Sequence, residues 1–277
     1  MTAPSEEFRC EFADREDLIA YLKAQFPEAA ARDDRVSPIR GGRRAADAAM
    51  KRLDPVDYAA SRNYLSGTVT RLSPYLRYGV VGMAELRDAI LHRAGRKGVA
   101  TKLLNELGWR DYFQRRYAQI GNGVWQDQGR LGTGYAPDEY GEELPEDIAT
   151  GTTGLACIDA FSVQLRTIGY LHNHARLWLA AYLVHWRRVR WQTGARWFLG
   201  HLLDGDPASN NLNWQWVAGA LGHRPYVFTR ENLEQYIEGA YCAGCPLYGR
   251  CPFEGSHADH AARLFRPEPG LPTGGAR

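Results

Sequence analysis

Long hydrophobic runs are missing from this sequence. Nowhere do eighteen apolar residues follow one another, which argues against a membrane-spanning helix. The first residues, MTAPSEEFRC, lack the basic and apolar regions of a signal peptide, so the cytoplasm is the expected compartment and no membrane partner is expected. An excess of charge is lacking as well: the formal net charge is only +2, too small to announce a nucleic-acid partner by itself. Alternating runs rich in Val, Ile and Thr are absent, and nothing before residue 40 has the strand-and-helix alternation of a parallel sheet. There is no internal repeat. Cysteine is scarce, five in the whole chain, and a reducing compartment argues against a disulfide framework.

What remains is an ordinary globular composition, 44% hydrophobic and 24% charged, sufficient for one large core or two modest ones. Residues 14–26 read as a helix, with Asp14 as N-cap, Leu18, Ile19, Tyr21, Leu22 and Phe26 at helical spacing, and Pro27 after it. A polar linker is expected next, then a helix from Gly42 to Arg52. Beyond Pro55 the chain passes into a loop rich in Gly, Ser and Thr at 66–74, with another helix opening near Val81. Residues 99–120, 153–168, 170–191 and 194–203 carry apolar side chains at intervals of three and four, so the fold class is all-α. The Gly-, Pro- and acid-rich stretch 121–152 reads as a long surface loop, and the tail from Pro267 as disordered. Basic residues cluster at Arg40, Arg43 and Arg44 and again at Arg187, Arg188 and Arg190, which fits either a local basic face or solvated helix surfaces. Five of the eight tryptophans fall between Trp178 and Trp214, and core packing is their default explanation.

Four segments mix residue types that plain packing does not require. In Gly67-Thr68-Val69-Thr70-Arg71-Leu72-Ser73-Pro74, hydroxyls and backbone N–H groups stand ready either for an anion or for capping the next helix. In LNELGWRDYF, Glu106 and Arg110 lie four apart, either as a surface ion pair or, with Trp109 between them, at the border of a cavity. In GYLHNHAR, Asn173 and Arg176 share a helix face beside the stripe Trp178, Tyr182 and Trp186, placing an amide and a cation next to apolar surface. The stretch DGDPASNNLNWQW gathers two carboxylates, several amides and two tryptophans within thirteen residues, polar groups that need partners if buried.

In this order and spacing, TRLSPYLRYG, LNELGWRDYF, TGLACIDA, GYLHNHAR and DGDPASNNLNWQW resemble the FAD-binding half of photolyases and cryptochromes over roughly residues 40–240. The resemblance implies a helical FAD-binding domain of photolyase/cryptochrome type at 41–240. An arm and linker would precede it at 1–40, a cysteine-rich segment follow at 241–266 and the tail at 267–277. It implies that Thr70, Arg71, Leu72 and Ser73 hold the FAD phosphates and that Tyr58 and Arg110 contact the cofactor. Asn173 would lie at the adenine and substrate side, Arg176 and Asp204 would flank the isoalloxazine with Asp206 nearby, and Asn210 would face flavin N5. Glu106 resembles the acid that hydrogen-bonds a damaged base, and Trp109 and Trp216 the aromatics around a flipped pyrimidine dimer. Trp214 and Trp191 match the inner members of a photoreduction chain, with Trp125 or Tyr135 as candidates for the outer one.

Cys242, Cys245 and Cys251 fall within ten residues, a density that suggests metal ligation. They resemble the closing segment of the bacterial iron-sulfur branch, in which a fourth cysteine stands fifteen residues before the active-site histidine, as Cys157 stands before His172. The resemblance therefore implies a [4Fe-4S] cluster on these four thiolates, while spacing alone accommodates zinc as well. Departures from the family are a histidine at 174 where arginine is common, a leucine at 177 where methionine is usual, and an asparagine at 173 where the iron-sulfur branch has histidine. No antenna domain or antenna chromophore is expected. Three functions follow: light-driven repair of damaged pyrimidines in DNA, a cryptochrome-like photoreceptor with a protein or DNA partner, or a light-independent redox module.

Overall fold

In the computed structural model, which describes residues 8–95, 97–221 and 224–266, the chain divides into two compact units, Met1–Pro38 and Ile39–Arg277. The expected tail at 267–277 lies outside the described residues. The first unit carries α1 (Arg15–Gln25) and α2 (Pro27–Arg32). Asp14 caps α1 by accepting from the Asp17 N–H, and Pro27, which needs no N–H partner at a first helical position, opens α2 where a linker was expected. Neither helix buries a residue.

The regular elements among the second unit's described residues are helices, and the bridge-type pairing there is Gly141 with Val189. Its first part holds α3 (Arg43–Lys51), α4 (Pro55–Ser61), α5 (Ser73–Arg77), α6 (Met83–Ala94) and α7 (Lys97–Ile120). Here Ala46, Leu53, Tyr58, Leu72, Leu86, Ile90 and Leu103 form one apolar cluster. The helix α5 overlaps the end of the expected loop at 66–74, and α4 falls in the stretch before it, to which the sequence assigns no element. Each begins on a proline-bearing turn and is too short to show a period. At 24 residues, α7 is about 36 Å long and packs against α4, α6 and, further along, the helix at 207–218.

The second part holds α8 (Glu146–Thr150), α9 (Ala156–Ile168), α10 (Asn173–Ala181), α11 (Trp191–His201), α12 (Pro207–Ala218), α13 (Arg230–Ile237) and α14 (His257–Leu264). Phe161, Leu165, Trp178, Leu183, Trp214, Phe228 and Phe253 anchor its larger apolar cluster. The expected surface loop at 121–152 is instead partly internal. Val124, Leu131, Thr133, Tyr140 and Ile148 are buried, and two 3-10 turns and α8 interrupt it.

Residues 170–191 are likewise not one helix. α10 ends at Ala181 and widens into a π turn over Tyr182–Trp186, where the Arg187 N–H donates to the Tyr182 carbonyl at 3.1 Å. The apolar spacing survives this change of pitch, so Trp178, Tyr182 and Trp186 still face the core. The turn buries His185, whose Nε2 lies 3.0 Å from the Val217 carbonyl. Four of the six clustered arginines have partners, while Arg40 and Arg44 are exposed. Arg43 pairs with Asp47 and Glu85, Arg187 with Asp147 and Arg190 with Glu142, while Arg188 lies over Tyr135.

Gly194 allows the closest helix contact in the core. A Cβ there would stand 2.2 Å from the Trp214 ring, so α11 and α12 meet through an indole laid on a bare backbone. Replacing glycine by alanine inside a helix ordinarily stabilises it. Gly194→Ala should instead destabilise by about 1–3 kcal/mol through overpacking, read as a lower midpoint in denaturant unfolding.

Burial holds the His185 imidazole down at about 4, below its ordinary 6.5. The unfolded chain therefore takes up this proton first as pH falls. The contribution of His185 is fully present above about pH 6.5 and is lost between 6.5 and 4 at about 1.4 kcal/mol per pH unit. His185→Gln should remove that part of the acid slope in unfolding free energies measured at pH 7, 5.5 and 4.5.

Candidate flavin site

Two depressions in the second unit gather the residues singled out in the sequence. The first is lined by Asn173, Arg176 and Leu177 of α10, Phe198 of α11, Asp204 and Gly205 of the following turn, and Ser209, Asn210, Asn213 and Trp214 of α12. Its volume is about 540 Å³ with the open mouth included. The second is a polar crevice lined by Arg52, Asp54, Tyr58, Thr68, Thr70 and Arg71.

An ion pair joins the wall of the first depression to the hydroxyl loop. Arg176 Nη2 donates to Asp204 Oδ2 at 2.8 Å, and the same oxygen accepts from Ser73 Oγ at 2.6 Å. Arg176 Nε donates to the Leu171 carbonyl at 2.9 Å. Burial opposes the charge of Arg176, but the adjacent Asp204 carboxylate outweighs it and holds the guanidinium pKa above its ordinary value. Asp204 Oδ1 is buried without a hydrogen-bond partner, which leaves the pocket with an acceptor seeking a donor.

Asn210 donates from Nδ2 to the Ala195 carbonyl at 3.1 Å and to Asn211 Oδ1 at 3.0 Å. With its amide hydrogens so used, it offers Oδ1 to the pocket as an acceptor. In the loop, Gly67 lies so close to Ser61 that a Cβ would stand 1.9 Å from the Ser61 carbonyl oxygen. Thr68 N–H donates to Ser61 Oγ at 2.9 Å, and the Leu72 N–H to Thr70 Oγ1 at 3.3 Å. Arg71 adopts a left-handed backbone at φ 51°, a conformation that costs a residue with a Cβ about 1 kcal/mol. Its guanidinium lies over the Tyr170 ring, as does that of Arg176, at 5.7 and 5.3 Å from the ring centre.

Other expected site residues are placed differently. Glu106 and Arg110 do not pair with each other: Glu106 binds Arg62 at the end of α4, and Arg110 reaches Asp206 at 3.2 Å. Asp206 lines neither depression. It caps α12 through the Ala208 N–H and also accepts from Gln114 of α7. Tyr58 is buried beneath Arg62, and desolvation raises its phenol pKa. Trp109 is 57% exposed, stacked on Phe113 and edge-on to Tyr112, while Trp216 is 39% exposed and rests on Tyr226. Trp214 is buried against Phe198, and buried Trp191 donates its indole N–H to Asp127 Oδ1 at 2.6 Å. Arg62, Gln114, Asp127 and Tyr170 escaped the sequence reading. The spacing of Arg62 four residues after Tyr58 was the one local clue.

Cys157 of α9, Cys242, Cys245 and Cys251 line a single small cavity with Leu155, Leu233, Tyr241 and Phe253. Burial pushes the Cys157 thiol upward and that of Cys242 up to about 11, so without a cation both stay protonated. The sulfurs ring the cavity without closing on a centre: among the described residues no group of three His, Cys, Asp or Glu is drawn tightly enough to hold a metal ion. Nor is any helix among them long and apolar enough to cross a membrane.

An all-helical domain with a deep pocket between two helices, an ion pair in its wall and a hydroxyl loop against that pair defines a class of cofactor-binding domain. Residues 103–236 match the family model described as the FAD binding domain of DNA photolyase. The chain belongs to the photolyase/cryptochrome family and carries its FAD-binding domain. It is 39% identical over 170 residues to a deoxyribodipyrimidine photo-lyase of Streptomyces griseus, covering 59% of this chain and 35% of the relative. A Synechocystis cryptochrome superposes with a TM-score of 0.64 at 26% identity, covering 73% of this chain and 44% of that one. An archaeal photolyase from Sulfolobus tokodaii with two FAD molecules gives 0.59 at 32% identity, with 72% and 45% covered. The chain thus spans a third to under half of the length of these relatives.

The Arg176 and Asp204 pair tests the pocket wall directly. Asp204→Asn removes the anion that compensates a buried guanidinium and should lower stability by about 3 kcal/mol, read by denaturant unfolding. Ser73→Ala removes one hydrogen bond to the same carboxylate and should cost about 1 kcal/mol.

Proposed function

We propose that this chain is a photolyase-like flavoprotein that uses blue light to deliver an electron to a pyrimidine lesion flipped out of DNA. The observation that carries the reading is the pocket between α10 and α12. Its wall presents an ion pair, the unpartnered Asp204 Oδ1 and the Asn210 amide, with Trp214 on its lining. Those groups suit a planar, hydrogen-bonding cofactor, and FAD when bound supplies the light absorption and the one-electron chemistry. In this reading Arg176, Asp204, Asn173 and Asn210 hold the flavin side, while Thr70, Arg71, Leu72 and Ser73, with Tyr58 beside the polar crevice, hold the phosphate side. Asp206 and Arg110 act on the site through α12, which they anchor at its first turn.

The exposed rings of Trp109 and Trp216 offer stacking surfaces for an extruded base, and the Glu106 carboxylate offers a hydrogen-bond acceptor for it. The four cysteines would hold a [4Fe-4S] cluster, or zinc. Their convergence on one cavity supports a ligand set, and binding would require the raised thiols to deprotonate. A second reading, a cryptochrome-like photoreceptor without repair, is favoured by one contact: the Glu106 carboxylate is already held by Arg62, which must let go before a base is engaged.

Purified protein should take up FAD and, once reduced, should repair oligonucleotides bearing a cyclobutane dimer or a (6-4) lesion under blue light. Glu106→Gln should lower repair about 10- to 100-fold, the loss of one charge-assisted hydrogen bond. Flavin uptake with no turnover on either lesion would select the photoreceptor reading, and failure to bind FAD would sink both. Iron and acid-labile sulfide in anaerobically purified protein decide the cluster, and stoichiometric zinc would replace it.

A further inference from the structure

The aromatic groups around α11 sit in opposite electrostatic surroundings. Trp214 lines the pocket and lies on Gly194, and Trp191 stands one helical turn before that glycine. Trp191 is buried, and its indole N–H is held by the Asp127 carboxylate at 2.6 Å. Trp125, two residues from Asp127, instead has the Arg196 guanidinium over its ring at 5.1 Å. Tyr135 carries two guanidiniums, Arg188 at 3.4 Å and Arg266 at 4.1 Å from its ring centre. An aromatic ring that loses an electron becomes a cation, which a neighbouring carboxylate stabilises and a neighbouring guanidinium opposes.

We propose that Asp127 is the counter-ion and proton acceptor that makes Trp191 the resting place of an electron hole, and that the cations on Trp125 and Tyr135 bar its onward passage to either. This deepens the light-driven reading above and rests on it. With oxidised flavin held in the pocket, its photoexcited form would be the one-electron oxidant, taking one electron from Trp191 by way of Trp214. The Trp191 indole becomes a radical cation. Its N–H bond breaks, the proton passes to Asp127 Oδ1 to form a carboxylic acid, and a neutral indolyl radical remains. An external thiol reductant returns one electron, and the proton moves back along the same hydrogen bond. The length and placement of that bond make the transfer a short shift along an existing contact, with no rearrangement of the chain.

Asp127→Asn tests this, because an amide oxygen still accepts from the indole while the charge is gone. In flavin-loaded protein after a light flash, the long-lived tryptophan radical should decay at least tenfold faster in Asp127→Asn. Transient spectra should show the cationic rather than the deprotonated form, with the thermal midpoint close to that of the parent. Asp127→Glu restores the charge and should recover the neutral radical, which a purely structural role for the carboxylate does not predict. Trp125→Phe and Tyr135→Phe should leave the radical yield within twofold. Loss of the long-lived radical in either of these, or an unchanged decay and spectrum in Asp127→Asn, overturns the proposal. Trp214→Phe separates the levels: if it leaves flavin photoreduction as fast as in the parent, the relay itself is wrong, whereas a slow Trp214→Phe beside an unaltered Asp127→Asn rejects only the role of Asp127.

Discussion

The pair between Arg176 and Asp204 is the constraint on which the pocket depends. It ties α10 to the turn between α11 and α12, and through Ser73 it ties both to the loop that opens α5. A guanidinium placed among apolar helices is unfavourable unless an anion meets it, and the carboxylate is the more deeply buried of the two. The two charges therefore fix each other and, with them, the spacing of three chain segments. One carboxylate oxygen remains unused by the protein. The scaffold is complete without a ligand in its backbone but incomplete in its hydrogen bonding, which is the signature of a site built around something else.

A second clamp works two residues further along the chain. Asp206 is at once the cap of α12 and the meeting point of Arg110 and Gln114 from α7. The long helix thus holds the start of α12, while Trp214 further along α12 rests on α11. Polar contacts set the orientation at one end of α12 and close packing sets it at the other. Of the residues lining the pocket, Ser209, Asn210 and Asn213 lie between these two fixed points.

Much of this was legible beforehand, for reasons that can be given residue by residue. The helices at 97–120 and 156–168 declare themselves because three or more turns repeat an apolar face. The resemblance set Arg176 and Asp204 beside the isoalloxazine, and in the structure the two side chains are in direct contact. What escaped lies where local sequence carries no period or where the partner is remote. The helices α4 and α5 have too few turns to reveal themselves. The stretch 121–152 is polar in composition yet buries Val124, Leu131, Tyr140 and Ile148 one at a time. Glu106 and Arg110 have the spacing of an ion pair, but each finds a stronger partner far along the chain, Arg62 and Asp206. The density of Cys242, Cys245 and Cys251 suggested metal ligation and the resemblance added Cys157, but spacing says nothing of how far the sulfurs stand apart.

The indole seated on the bare helix backbone at Gly194 links the histories of two positions. A side chain at 194 is admissible only in a lineage whose residue 214 has already become smaller, and the reverse order passes through a clash. A descendant that gave up the tryptophan would still need Leu183, whose Cδ2 would stand 2.6 Å from the same Cβ, to yield before the notch could fill, and a filled notch would bar the tryptophan's return.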